Sequence, residues 1–188
     1  DMGPEQLADA VRKLGKTLRN WSEPEGTARW LFSGPVRRLS PWTRVVKRDM
    51  SLSHSIDLIT SYFAPNPAML RRLDKASKRG RVRLVLPSKV DHTASLWAAR
   101  FTYAGLLRKR VQIFEYQPTM YHCKVMVVDG LWTSVGSTNF DSRSFSLNDE
   151  ANLNVVDARF AAEQSRIFGD DVAQSREVTL GEWQHRPL

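Results

Sequence analysis

The 188-residue chain has a single cysteine, Cys123, so no disulfide can form within it. No run of apolar residues approaches the roughly 20 that a helix needs to cross a bilayer. The four histidines are scattered along the sequence and make no cluster with the spacing of metal ligands. These absences leave a globular α or β domain whose core depends on ordinary side-chain packing.

Charge is unevenly distributed along this basic chain, which has a formal net charge of +8. Residues 71–110 contain twelve Lys or Arg and two Asp, whereas residues 111–188 contain six Lys or Arg and eleven Asp or Glu. A basic region beside an acidic one indicates an anionic partner on one face, and both nucleic acid and anionic lipid headgroups qualify. The alternative is a set of solvated helix faces.

The N-terminal quarter is predicted to be a lead-in to the main domain. Apolar residues recur at helical spacing over residues 5–21, which predicts an amphipathic helix. Residues 22–44 contain three prolines and two glycines, and predict an irregular linker that packs through its aromatic residues. We therefore divide the chain into a helix and linker over residues 1–50 and a main domain over residues 51–188.

Strands and helices alternate in the first part of that domain. Asn66 followed by Pro67 is typical of a helix N-terminus, and Gly80 of a C-cap. The predicted order is a strand over 56–63, a helix over 67–80, a strand over 82–86, a helix over 92–109 and a strand over 111–116. Such alternation predicts right-handed crossovers between parallel strands.

Three more strands and one helix are predicted in the second part, with strands over 122–129, 132–136 and 151–157 and a helix over 158–174. The predicted fold class is α/β, with a mixed, largely parallel sheet flanked by helices.

One stretch, YHCKVMVVDGLWTSVGSTN at 121–139, concentrates polar chemistry. Strand side chains alternate between faces, so His122 and Lys124 are predicted to point the same way and Cys123 into the core. Gly136 permits a close backbone approach, and Ser137 and Asn139 present a hydroxyl and an amide on one side of the next turn.

An imidazole, an ammonium, a hydroxyl and an amide around one point suit a phosphoryl group. The ammonium and the polar donors stabilise charge on the nonbridging oxygens. The imidazole can attack phosphorus or protonate a leaving oxygen, and its ordinary pKa of about 6.5 allows either near neutral pH.

The spacing H-x-K-x4-D-x6-G-S-x-N resembles the signature of the phospholipase D superfamily. The matching positions are His122, Lys124, Asp129, Gly136, Ser137 and Asn139. The stretches SYFAPNPAMLRR, QPTMYHCK and NFDSRSFSLNDEANLNV look more narrowly like bacterial cardiolipin synthases, and the resemblance extends over roughly residues 30–180.

The resemblance implies a role for each matching residue. The catalytic set is His122, Lys124, Asp129 and Glu150, and the substrate-binding set is Lys124, Ser137 and Asn139. In this set His122 is the nucleophile or general acid, Glu150 orients its imidazole, and Asp129 is structural and not a proton donor. Lys124 and Asn139 hold the phosphate with help from Ser137. The family's chemistry implies no metal and no other cofactor.

The family's active site needs two such motifs, but this sequence contains only one H-x-K. The second comes either from a twofold homodimer or from another half of a longer enzyme. The start without Met and the lead-in favour the second alternative, in which this chain is the C-terminal half.

The resemblance implies phosphatidyl transfer in phospholipid synthesis through a phosphohistidine, with a phospholipid substrate and a second motif-bearing half as partners. An anionic membrane surface is a further candidate partner, and the implied location is the cytoplasmic side of a bacterial inner membrane, bound peripherally. The alternatives are a homodimeric nuclease of the same superfamily acting on nucleic acid, which is less favoured, and an inactive domain that only binds anionic surfaces.

Overall fold

A single eight-stranded sheet organises the chain, for which the computed structural model describes residues 26–33, 46, 50, 52–145 and 147–186. In sheet order the strands are β1 (Thr27–Ser33), β9 (Glu150–Val156), β7 (Trp132–Gly136), β6 (Val125–Val128), β2 (Ser55–Ile59), β4 (Arg81–Pro87), β5 (Gln112–Tyr116) and β10 (Ser175–Val178). Two short strands, β3 (Phe63–Ala64) and β8 (Phe140–Asp141), pair separately in parallel. Mixed α/β architecture is thereby confirmed.

The parallel part of the sheet is β2–β4–β5, joined by two crossover helices, α1 (Pro67–Arg79) and α2 (Thr93–Arg108). The predicted helix start is confirmed, because the side chain of Asn66 accepts a hydrogen bond from the Met69 amide and Pro67 occupies the first turn. Gly80 ends α1, as predicted. The predicted strand 56–63 is shorter, since its pairing stops at Ile59 and β3 pairs elsewhere.

The expectation of a largely parallel sheet is wrong, because five of the seven strand pairings are antiparallel. Among the described residues no helix lies between β6, β7 and β9, so no crossover helix makes these strands parallel. Residues 129–131 join β6 to β7, a connection too short for parallel pairing, and a longer segment that contains β8 leads from β7 to β9. Asp129 and Gly130 both have positive φ, 52° and 62°, and form the tight turn between β6 and β7. An Asp-Gly pair is a strong sequence signal for this hairpin turn.

The linker prediction is also wrong for residues 27–33, which form β1 and pair along their whole length with β9. Strand β10 and the short helix α4 (Leu180–His185) were not predicted. The predicted helix over residues 5–21 lies outside the described residues. The domain boundary at residue 50 stays a prediction, although β1 places residues before it in the same sheet.

Apolar side chains cover both faces of the sheet. Leu84 belongs to the larger cluster, which includes residues of α1 and α2, while the next residue, Val85, packs with Phe168 of the helix α3 (Ala158–Ala173). Alternation along the central strands therefore produces three layers, with α1 and α2 on one side and α3 on the other. The helices leave the strand ends open, and there the polar motif lies.

Candidate active site

Four strand ends meet at one edge of the sheet. Ile59, the last residue of β2, pairs with Val125, the first of β6, and Val125 pairs in turn with Val135 near the end of β7. The next pairing along this edge joins Gly136 to Asn152 of β9. Because the polar residues directly precede or follow these ends, the topology brings together segments 60–62, 122–124, 137–139 and 150–152.

Lys124 is the buried cation of this edge, with 8% of its surface exposed. Its ammonium donates to Ser61 Oγ and to the carbonyl oxygen of His122, each at 3.0 Å. Burial lowers the pKa of Lys124, and Cys123, Glu150 and Asp91 act in the opposite direction. These contacts hold one positive charge in a single position, where a phosphate oxygen can meet it.

The imidazole of His122 is exposed and lies beside that ammonium. Lys124 Nζ is 3.0 Å from Nδ1 and 3.1 Å from Nε2 of the ring, so the predicted side-by-side arrangement of the two side chains is present. The edge of the ring meets the ring of Tyr62, with centroids 6.1 Å apart. The Cys123 side chain is exposed, which corrects its predicted core position, because the regular strand begins only at Val125.

Asn139 is oriented by its backbone neighbours. Its Oδ1 accepts a hydrogen bond from the Tyr62 amide at 3.2 Å and lies 3.5 Å from Thr60 Oγ1. Because a backbone N–H can only donate, the side-chain oxygen must face Tyr62, and the two N–H groups of the amide point elsewhere. The amide nitrogen of Asn139 can therefore donate to a group other than Tyr62, for example an anion.

Ser137 and Glu150 form a pair of their own. The Ser137 hydroxyl donates a short hydrogen bond to Glu150 Oε2 and accepts one from the Ala151 amide at 3.0 Å. Asn148 donates to the other oxygen of Glu150 at 3.3 Å. Among the described residues, the hydrogen bonds of Glu150 do not include the predicted one to the His122 ring, so its role in orienting the imidazole stays a prediction.

Gly136 permits this arrangement, as predicted. A Cβ atom at this position would overlap the Ala151 carbonyl oxygen and the Asn152 side chain on β9. The close approach brings Thr138 and Asn152 into hydrogen-bond contact at 2.5 Å, which anchors the turn that carries Ser137 and Asn139.

The family model described as the phospholipase D-like domain of cardiolipin synthase matches residues 48–172, which include every one of these side chains. The chain belongs to this family of phospholipase D-like domains. Cardiolipin synthase 1 of Staphylococcus epidermidis is 36% identical over 143 residues, covering 76% of this chain and 29% of the relative. Cardiolipin synthase 1 of Staphylococcus aureus is 33% identical over 161 residues, covering 83% and 32%. The phospholipase D-like chain thus spans about a third of the length of these relatives.

Solved structures share the fold at low sequence identity. Nuc from Salmonella typhimurium, a phospholipase D family member, superposes with a TM-score of 0.68 at 19% identity, covering 81% of this chain and 98% of Nuc. Phosphatidylserine synthase from Haemophilus influenzae gives a TM-score of 0.68 at 12% identity, covering 84% of this chain and 41% of that one. The predicted phospholipase D-like fold is confirmed.

Asp129 does not lie with the other motif residues of the phospholipase D-like domain. It follows the C-terminal end of β6, whereas Lys124 precedes the N-terminal end, and four residues of extended strand separate them. Its Oδ1 accepts hydrogen bonds from the backbone amides of His54 and Ser55 at 2.8 and 2.7 Å. Placing Asp129 in the catalytic set is therefore not supported by its position, whereas the structural role expected for it agrees with these contacts.

Replacing Asp129 with alanine is expected to lower the free energy of unfolding by about 1–3 kcal/mol, because two amides at the start of β2 lose their acceptor. The Asp129→Asn control keeps an acceptor oxygen and tolerates positive φ, so it should retain most of the stability. Urea unfolding curves measure the difference. Equal midpoints for Asp129→Ala and the wild-type protein would contradict the role.

The motif did not indicate three further residues that adjoin the site, namely Ser61, Tyr62 and Asp91. The Tyr62 hydroxyl donates to both carboxylate oxygens of Asp91, at 2.7 and 2.9 Å, and this hydrogen bond is the main cause that raises the pKa of Tyr62 to about 12. The tyrosine is thus held as a neutral donor beside the His122 ring. Its sequence signal is only that SYF follows one residue after a buried strand, at the edge of the sheet where the motif lies.

A cleft of about 570 Å³ opens next to Tyr62 and Asn139. One wall comes from α2 through Ala94, Ser95 and Ala98, and the opposite wall from the segment after β8. The cleft is large enough for a substrate group beyond the phosphate itself.

Within the described residues, no group of three or more His, Cys, Asp or Glu side chains is placed to hold a metal ion. Across the same part of the chain, none of the helices has both the length and the apolar character needed to span a membrane.

Proposed function

We propose that this phospholipase D-like domain takes part in phosphatidyl transfer during phospholipid synthesis. One observation carries the proposal: the segment 60–62 ties the three reactive groups together. Ser61 contacts the Lys124 ammonium, the Tyr62 amide orients Asn139, and the Tyr62 ring adjoins His122. A nucleophile or acid, a fixed cation and oriented amide donors thus adjoin the same three residues.

The proposed reaction is a double displacement at phosphorus. A nitrogen of His122, or of the equivalent histidine in the other half, attacks the phosphodiester, and an N–P bond forms as the P–O bond to the leaving alcohol breaks. The second histidine gives the leaving oxygen a proton. An acceptor alcohol then returns a proton to that histidine and attacks phosphorus, which breaks the N–P bond. Lys124 and Asn139 stabilise the charge on the nonbridging oxygens throughout.

The second histidine is proposed to come from another phospholipase D-like half. The sequence holds one H-x-K motif, and the chain spans about a third of the cardiolipin synthases that it resembles. Among the described residues, the Lys124 ammonium has one histidine beside it, His122, and we propose that a facing motif from another half or from a second copy supplies the other. The names of the relatives support cardiolipin as the product, and we propose phosphatidylglycerol as a substrate.

A phosphodiesterase acting on nucleic acid is the second candidate function. The net charge of +8 favours it, because the same site chemistry serves a nucleic-acid phosphodiester and a basic surface attracts one.

Turnover of phosphatidylglycerol and of single-stranded DNA by the full-length gene product distinguishes the two. We expect phospholipid product and no DNA cleavage, in the presence and absence of EDTA, since Lys124 and the amide donors supply the charge stabilisation. Efficient DNA cleavage without phospholipid turnover would overturn the proposal in favour of the nuclease. Loss of turnover in EDTA that added metal restores would contradict the proposed chemistry.

A further inference from the structure

The helix α2 is apolar on its outer side as well as on its buried side. Ala99, Tyr103 and Leu106 face the core, while Trp97 and Phe101, one turn apart, are 65% and 91% exposed. Ala94 and Gly105 continue the exposed stripe, and its first charge is Arg108 in the last turn. A tryptophan and a phenylalanine adjoining on one helix surface make an apolar patch that water solvates poorly.

Helix α1 lies beside α2 and exposes a basic stripe. The Lys109 ammonium, directly after α2, is 3.6 Å from the Asp74 carboxylate on α1, and side chains of both helices join one core cluster. On the outer side of α1, Arg71, Lys75 and Lys78 are exposed. Because both helices bury their inner sides against the sheet, the basic stripe and the aromatic stripe point outward together.

We propose that this α1–α2 face, defined by Arg71, Lys75, Lys78, Trp97, Phe101 and Arg108, binds an anionic lipid bilayer. Lys and Arg near a membrane surface are attracted by acidic headgroups, and tryptophan is favoured at the level of the headgroups. A nucleic acid would pair with the basic stripe but leave the exposed Phe101 ring in water. The core of a protein interface is depleted in lysine, which disfavours a protein partner.

The same helix forms a wall of the site cleft. Ala94, Ser95 and Ala98 line the cleft beside Tyr62, and Trp97 lies beside Ala94, one turn further along the helix. A bilayer on the α1–α2 face therefore meets the chain next to the cleft opening. The proposed binding does not depend on the proposed reaction, because it is measured as partitioning and not as turnover.

Flotation with vesicles tests the aromatic stripe. The wild-type chain is expected to float with phosphatidylcholine–phosphatidylglycerol vesicles and not with phosphatidylcholine alone. The double variant Trp97→Gln/Phe101→Gln should bind at least about tenfold more weakly, because burying one aromatic side chain is worth more than a factor of ten. The matched control is Trp30→Gln/Phe32→Gln on β1, two rings that are 58% and 54% exposed and lie outside this face. This control should bind like the wild type.

The basic stripe and the depth of insertion are tested separately. Arg71→Gln/Lys75→Gln should weaken binding about fivefold for each lost charge at low salt, and salt should reduce the difference. Brominated lipids should quench less fluorescence in Trp97→Phe than in the wild type, although this variant still binds. Circular dichroism confirms that each variant is folded.

Three results would overturn the inference: equal binding to neutral vesicles, an unchanged affinity of the folded aromatic double variant, and equal quenching in Trp97→Phe. If the aromatic variant kept its vesicle binding but failed to assemble with a second half in sizing chromatography, the face would be a protein interface instead.

Discussion

Replacing His122 with asparagine is expected to lower turnover by about a thousandfold or more, because an amide can neither attack phosphorus nor transfer a proton effectively. The fold should tolerate the change. The His122 side chain is exposed and precedes the regular part of β6, and asparagine keeps a polar side chain beside Lys124. Single-turnover rates of the full-length gene product with phosphatidylglycerol measure the effect, and thermal melts monitored by circular dichroism confirm folding.

The matched control is His54→Asn, at another exposed histidine. The backbone amide of His54 donates to Asp129. His54 precedes β2 and therefore lies at the end of the β2–β6 pair that is remote from His122. Its variant should turn over substrate at the wild-type rate. A folded His122→Asn protein with near wild-type turnover would refute the assignment of the reactive imidazole.

Replacing Lys124 with methionine is expected to lower turnover by about a hundredfold or more, because one buried positive charge is lost from the transition state. Hydrogen bonds to Ser61 and to the His122 carbonyl fix the position of the ammonium. Another cationic side chain could replace its charge only if the site rearranged. Lys89→Met is the matched control, since this lysine is exposed and its ammonium contacts the Pro118 carbonyl instead. We expect the control to retain its turnover.

Stability separates this chemical role of Lys124 from a structural one. Burial lowers the pKa of Lys124 in the fold, so the unfolded chain holds this proton more tightly than the native state. The native state therefore pays a penalty for the charge at neutral pH, which disappears as pH rises between the lowered and the ordinary lysine pKa. Methionine removes the penalty but also loses the hydrogen bonds of the ammonium, so the two effects on the free energy of unfolding oppose each other and we expect only a small net change. A large loss of stability with unchanged turnover per folded molecule would make Lys124 structural.

Local signals in the sequence were sufficient for most of the regular structure. Asn66, Pro67 and Gly80 bound α1 because capping depends on residues within one turn. The proximity of His122 and Lys124 was predicted from strand alternation and is present, although the regular strand begins only at Val125. The close approach at Gly136 was predicted for the same kind of reason, the missing Cβ.

Pairing between distant segments could not be predicted in this way. Residues 27–33 pair with β9, which lies more than 100 residues later in the sequence, and not with a strand joined to them by a turn. No local signal indicates such a partner, so the linker interpretation failed there. The same limit explains the sheet, since the direction of a strand pair depends on which strands become neighbours. For this reason the sequence did not predict the antiparallel pairing of β2 with β6, although it predicted both strands.

The sequence by itself determined which functional groups this domain carries and the spacing that identifies its family, because those depend only on residue type and order. The tertiary structure decided which of them meet. It separated Asp129 from Lys124 by the length of β6, directed the Ser137 hydroxyl to Glu150, brought Tyr62 beside His122 and placed Asp91 against the Tyr62 hydroxyl. Those contacts arise from strand ends that gather at one edge of the sheet, and only the long-range pairing of β2, β6, β7 and β9 creates that edge.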